Sequence, residues 1–259
     1  MSAGFDGALV EQTWPTVARL LQGGRRTVAI VPVGSVEAHG PHLPLGTDTL
    51  ISVEVARRAG RALAEQGYVC LRFPAINYGV TDWAAMFTGT VSLGADTTAA
   101  VVFETCRAAA AMGFARVVVT NAHLEPAHIA TLRAVAERFA DELGTPLLFV
   151  DKTRRRNAER LGDEFKSGSC HAGQYESSLV LAIAPALVDL PRARQLPPHI
   201  VPLHERIAAG ARDFADCGLD QAYCGTPAGA TATEGEATLG VLTDMVVTAV
   251  RASFDDPPR

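Results

Sequence analysis

Thr27-Val-Ala-Ile-Val-Pro-Val33 runs directly into Gly34-Ser-Val-Glu-Ala-His-Gly-Pro-His-Leu-Pro-Leu-Gly-Thr-Asp48. The first seven residues are an unbroken, β-branched apolar run of the kind a strand buried on both faces requires. The next fifteen crowd four metal-capable side chains, Glu37, His39, His42 and Asp48, into one loop. Carboxylates and imidazoles just past the C-terminal end of a strand lie where open α/β sheets bind ligands. Their mixture of oxygen and nitrogen donors suits Zn, Mn or Fe. A metallohydrolase is therefore the leading expectation.

Outward from this stretch, short apolar runs alternate with Ala-rich helical stretches. Strands are expected over 27–33, 68–73, 116–120 and 146–151, and helices over 49–66, 97–112, 129–143 and 236–254. Gly67, Gly113 and Gly144 stand as helix stops. Strands separated by helices of about 14 residues imply βαβ units and a mainly parallel sheet. The Pro-rich stretch 190–202 reads as a surface excursion rather than a linker, so the expectation is one α/β domain over residues 1–259.

With 259 residues, 48% of them apolar and 20% charged, the chain can bury a large core. A net charge of -5 argues against a nucleic-acid partner, which requires a basic patch. The basic run Lys152-Thr-Arg-Arg-Arg156 reads as a solvated loop or helix start. Five cysteines without C-x-x-C spacing fit neither a disulfide framework nor a zinc knuckle. Cys70 and Cys106, in apolar surroundings, read as reduced core residues. There is no signal-peptide pattern and no uninterrupted apolar run of the roughly 18 residues that span a bilayer. A cytoplasmic protein with no membrane partner is expected.

Three clusters carry chemistry. Glu37 and His39, two apart in an extended segment, point to one face. Asp48, at a loop–helix junction, can bridge two cations, or else simply cap the helix. The third strand repeats the pattern: His123 and Glu125 follow Val117-Val-Val-Thr-Asn-Ala122 at the same spacing, with His128 as a polar cap or supporting group. Finally, Ser169-Cys-His-Ala-Gly-Gln-Tyr-Glu176 sets His171 before a helix and Glu176 in its first turn, where a carboxylate is favoured. His171 could shuttle protons. His199 and His204, in and just past the Pro-rich stretch, read as solvated. No G-x-S-x-G elbow, Walker loop or G-x-G-x-x-G occurs. Cys170 beside His171 could be a thiol nucleophile, but metal-activated water uses more of the clusters.

Together these motifs resemble the creatininase (creatinine amidohydrolase) family. Its first signature, G-S-x-E-Q-H-G-P-H-L-P-L-x-T-D, is matched from Gly34 to Asp48 with Ala38 in place of Gln. Tyr78-Gly-Val…Phe87-Thr-Gly-Thr-Val-Ser-Leu93 is similar to the family's Y-G…F-P-G-T-x-S-L, with Thr88 where Pro is usual. Asn121-Ala-His-Leu-Glu125, His171-Ala-Gly…Glu176-Ser-Ser and Ala230-Thr-Ala-Thr-Glu-Gly235 match three further family stretches, so the resemblance covers about residues 27 to 240.

The resemblance implies a three-layer α/β/α sandwich with a mainly parallel central sheet and two divalent metal ions (Zn, Mn or Fe) hydrolysing a C–N amide bond. Glu37, Asp48 and His123 would hold one metal. His39, Asp48 and a further carboxylate would hold the other, that carboxylate being Glu125 in some branches and Glu176 in others. His171 matches a proton-transfer histidine, a role the non-ligating member of Glu125 and Glu176 would share. Such enzymes are usually homo-oligomers, often hexamers. Ser167-Gly-Ser-Cys170 replaces the Trp-Asp-x-Glu run of creatininase, so the groups that grip creatinine are missing. Other branches hydrolyse a formamide or trim a precursor peptide; Leu124-Glu-Pro126 departs from their G-G-N. The substrate expected is a small-molecule amide: cyclic amide, formamide or small peptide. A degenerate-site binding or assembly protein and a lactonase built on the same centre are the alternatives.

Overall fold

The computed structural model describes residues 4–22 and 24–255. In chain order the elements are β1 (Phe5–Ala8), α1 (Trp14–Leu21), β2 (Thr27–Val33), α2 (Thr47–Ala64), β3 (Val69–Arg72), α3 (Ala95–Ala111), β4 (Arg116–Asn121), α4 (Pro126–Leu143) and β5 (Leu147–Phe149). They continue with α5 (Arg155–Ala158), α6 (Asp163–Ser167), α7 (Gln174–Ile183), α8 (Leu190–Gln195), α9 (Leu203–Ala208) and α10 (Ala232–Asp255). The strands form one sheet in the order β1-β3-β2-β4-β5, every pair parallel.

β2 lies at the centre and every one of its residues is buried, as its continuous apolar run requires. Its side chains alternate between two cores. Val28 and Ile30 pack with Val118 against Ile51 and Val55 of α2, Leu179 of α7 and Leu239 of α10. Ala29, Val31 and Val33 pack with Val117 and Val119 against Val102 and Phe103 of α3 and Leu132 and Val135 of α4. The result is helix, sheet, helix: the three-layer α/β/α sandwich.

The expected helices all form, most of them starting two to four residues early. α4, for example, opens at Pro126, where a missing N–H costs nothing in the first turn. The expected final strand shrinks to the three residues of β5. β1 and α1 were not expected: Phe5-Asp-Gly-Ala8 has no strand pattern, and pairing with β3 is what makes it one. The stretch 190–202 is an excursion that contains the short α8. Cys70 and Cys106 are buried and unpaired.

α10 is long and apolar enough by composition to cross a membrane. Here it packs along α7 and α2 through Leu239, Leu242, Met245, Val246 and Val250. It approaches α7 closely at Gly235, where a Cβ would run into the Ser178 carbonyl oxygen and come within 2.9 Å of the Ala182 methyl. Gly235→Ala should therefore destabilise the fold by about 1–3 kcal/mol through overpacking. This outweighs the gain of up to ~1 kcal/mol in helix propensity. A urea midpoint that rises in this variant would refute the close approach.

Candidate metal centre

β2 and β4 end side by side, with Val33 opposite Asn121, so the loops that leave them share one crevice at the C-terminal edge of the sheet. The loop after β2 brings Glu37 and His39. The one after β4 brings His123. Asp48 enters from the first turn of α2 and Glu176 from the first turn of α7. All five side chains are buried, none more than 4% exposed.

Each imidazole is aimed by a backbone carbonyl. A carbonyl only accepts, so the nitrogen facing it carries a proton, and the other is the one that offers a lone pair once the ring is neutral. His39 Nδ1 donates to the Glu37 carbonyl (3.1 Å). Its Nε2 then lies 3.6 Å from Glu37 Oε1, Asp48 Oδ1 and Glu176 Oε2 alike, with no hydrogen-bond partner among the described residues. A buried nitrogen left unpartnered amid three carboxylate oxygens is the arrangement a cation completes. His123 Nε2 donates to the Val80 carbonyl (2.7 Å). Its Nδ1 faces Glu37 Oε1 at 3.1 Å and Asp48 Oδ2 at 3.2 Å. Hydroxyls complete the frame: Ser35 donates to Asp48 Oδ2 (2.6 Å) and Thr81 to Glu37 Oε2.

Three donor sets result among the described residues, Glu37–Asp48–His123, His39–Asp48–Glu176 and Glu37–His39–His171, and Asp48 stands in the first two. Of the two carboxylates the sequence left open, the structure brings Glu176 into the cluster. Glu125 is not brought there. As the N-cap residue of α4, it accepts the Asp82 and Trp83 amides through its two oxygens (3.2 and 3.1 Å). Asp48 is no cap: it sits inside α2 and bonds no helix N–H. His171 also stands near Glu37 and His39. Its Nε2 donates to the Ala38 carbonyl (3.0 Å), its ring packs between His39 and Phe214, and Nδ1 is 3.9 Å from Glu37 Oε1.

The charges follow. Burial opposes ionisation of Asp48, but His39 and His123 outweigh it and hold the carboxyl well below the usual range. Burial likewise opposes charging of His39, yet Asp48, Glu176 and Glu37 raise it to about 10. His123 is raised well above an ordinary histidine by Glu37 and Asp48, again against burial. For Glu176 and Glu125 burial prevails, each reaching about 7. His171 falls to about 4 through burial and the neighbouring His39, so it is neutral at pH 7.

The supporting histidines lie outside the cluster. His42 Nε2 pairs with the Ser177 hydroxyl (2.8 Å), and His128 Nε2 meets Asn121 Oδ1 (3.3 Å) beneath the His123 ring. His204 is exposed and lies at the mouth of the cavity over the cluster, while His199 is half-buried against Tyr223. Lys152 corrects the sequence reading of a solvated basic run: it is 6% exposed, with Nζ 5.9 Å from the Tyr175 ring centroid. Sequence reasoning also missed Ser35, which stands inside the quoted stretch, and Thr81, which carries no local mark of its role.

A parallel α/β sandwich with a buried carboxylate–imidazole cluster at the carboxyl edge of its sheet, open to a cavity, defines a metal-dependent hydrolase. The family model described as creatininase, creatinine amidohydrolase, matches residues 10–250. The chain belongs to the creatininase family and is a hydrolase of that family. Among curated relatives, the mycofactocin precursor peptide peptidase of Mycobacterium tuberculosis (strain H37Rv) is 31% identical over 233 residues, 88% of this chain and 86% of its own. Creatinine amidohydrolase of Pseudomonas putida is 27% identical over 271 residues, 96% of each chain. The fold is that of a solved creatininase (TM-score 0.73, 24% identity, 100% of this chain and 99% of that one). A structure described as "Creatininase Mn" (TM-score 0.72, 23% identity, 99% and 100% covered) matches as well, as does a mutant described as "Zn-Zn type" (TM-score 0.73, 23% identity, 99% and 100%).

An imidazole binds a metal only after losing its extra proton, and the buried carboxylates favour that proton on His39, raised to about 10, and on His123, raised well above an ordinary histidine. Adding Zn or Mn at pH 7.5 should therefore release about one proton for each of the two, and affinity should rise with pH. Calorimetric titration in two buffers of different ionisation enthalpy measures this. A proton count near zero would contradict the assignment.

Proposed function

We propose that the protein is a dinuclear metal amidohydrolase that cleaves a peptide-type C–N bond. The observation that carries this reading is the division of Asp48, whose Oδ1 lies toward His39 and Oδ2 toward His123. One carboxylate thus offers an oxygen to each of two donor sets. Glu37, Asp48 and His123 would hold one cation, and His39, Asp48 and Glu176 the other. The oxygen and imidazole donors suit Zn, Mn or Fe, and the Mn and Zn–Zn creatininases support the first two. Bound cations supply a Lewis acid for the amide carbonyl and water acidic enough to ionise near neutrality.

The chain's own groups handle the protons. His171, neutral and held by the Ala38 carbonyl, presents Nδ1 to the cluster as a base that can take a proton from the attacking water and pass it to the leaving nitrogen. Glu125, fixed by the Asp82 and Trp83 amides and with a pKa of about 7, is a second proton carrier at the cavity wall. Neither needs to move to reach the cavity, since both line it.

That cavity, about 440 Å³, favours a peptide over a small cyclic amide. It lies within the roughly 300–1,000 Å³ of pockets that hold drug-sized ligands. Trp83, Leu124, Ile129, Phe165, Ile207 and Phe214 give it an apolar wall. The relatives named as peptidases support the same substrate class. The full set of donors in both groups argues against a degenerate site.

Protein purified without chelator should carry about two equivalents of transition metal, and Asp48→Asn should lose both. Glu176→Gln should keep about one, and Glu125→Gln about two with hydrolysis slowed roughly 10²–10⁴-fold. Elemental analysis and a panel of peptides, cyclic amides and lactones make the test. Full metal content in Asp48→Asn, hydrolysis that survives chelation, or turnover of lactones alone would each overturn the proposal.

A further inference from the structure

α6 is short, yet it serves two places at once. Phe165 and Lys166 line the cavity. Between Asp163 and Phe165, Glu164 sends its carboxylate to the start of α7 and to the strand-like segment at 224–226. Oε2 accepts the Tyr175 amide (2.7 Å); Oε1 accepts the Thr226 amide (2.6 Å) and the Thr226 hydroxyl (3.0 Å). Two glycines make room for it. A Cβ on Gly173 would come within 2.6 Å of Oε2, and one on Gly225, where φ is 100°, would collide with Oε1.

Between these two anchored segments runs the loop that carries His171. Its next residue, Ala172, holds φ at 50°, a left-handed conformation that a residue with a Cβ rarely adopts. The Ala172 amide donates to Glu176 Oε2 (2.7 Å), and the His171 carbonyl accepts the Cys224 amide (2.8 Å). Glu164 touches neither bond. It holds the residue beside Glu176 and the residue two beyond Cys224, so both bonds depend on segments that it ties together.

We infer that Glu164 is a positioning residue: by joining the start of α7 to Thr226 it sets the backbone of the 171–176 loop and thereby the place of Glu176 and His171. Its consequence for metal rests on the two-cation reading above. Its consequence for the loop does not. Without the clamp, the Tyr175 and Thr226 amides lose their acceptor and Ala172 can relax toward negative φ, drawing the Glu176 carboxylate from His39 and Asp48.

Glu164→Gln tests this, because a carboxamide keeps the volume but can accept along only one arm. In the metal-free variant, hydrogen exchange at the Ala172 and Cys224 amides should quicken about tenfold, with β2 and β4 unchanged. In metal titrations one of two equivalents should weaken about 10- to 100-fold and the other hold. Thr226→Val, which removes the hydroxyl's contacts with Glu164 and with Gln174 Oε1 (3.1 Å) but keeps the Thr226 amide bond, should shift both readouts the same way by less, and it stands in if Glu164→Gln does not fold. Unchanged exchange at Ala172 and Cys224, or faster exchange throughout the chain in step, overturns the clamp. Wild-type protein that binds fewer than two equivalents sinks the two-cation reading instead, and exchange alone then decides the role of Glu164.

Discussion

Glu37, Asp48 and Glu176 are buried together around one imidazole nitrogen, and the repulsion among three such carboxylates is the constraint on which the rest of the structure depends. An isolated carboxylate taken out of water costs several kcal/mol unless it is paired or hydrogen-bonded. Each of these is answered. Asp48 has the Ser35 hydroxyl and both histidines, Glu37 the Thr81 hydroxyl and His123, and Glu176 the Ala172 amide and His39. The fold adds a further answer. In a parallel sheet whose strands lead into helices, helix N-termini gather at the carboxyl edge, and negative charge is favoured there. Asp48, Glu176 and Glu125 all stand at such N-termini, those of α2, α7 and α4.

Orientation comes from the backbone rather than from side-chain partners. His39, His123 and His171 each give one N–H to a carbonyl, of Glu37, Val80 and Ala38 in turn, and so direct the other nitrogen at the cluster. His42 and His128 lack this arrangement. They meet side-chain oxygens of Ser177 and Asn121, their other nitrogens find no partner, and burial keeps them neutral. Imidazoles close together in space are thus sorted into cluster and support by what lies behind each ring.

This sorting explains what could be read without coordinates. Glu37, His39 and Asp48 sit in one short loop after an unmistakable buried strand, so their convergence is a local property that sequence records. The fold class was legible for the same reason: the apolar run of β2 and the Ala-rich helices repeat a pattern with one physical solution. The placement of Glu176 in the cluster and of Glu125 outside it was not legible, because Glu125 is held by two backbone amides at 82 and 83 that carry no mark in their side chains. Lys152 misled because a run of basic residues is normally solvated. Its place just past the end of β5 turns it inward against Tyr175. β1 escaped notice since its strand character lies in its partner, β3.

The same charges bear on how the site survives without metal. Three carboxylates would force the crevice open if nothing offset them. Those very carboxylates raise His39 and His123 toward the protonated form, and protonated imidazoles offset their negative charge. Loading then exchanges protons for cations between fixed ligands, with the acceptor carbonyls behind each ring unchanged throughout. On this argument the centre is preorganised by protonation rather than by the metal. Folding need not wait for metal as it does in small zinc domains, since the two cores on either face of the sheet are complete without it.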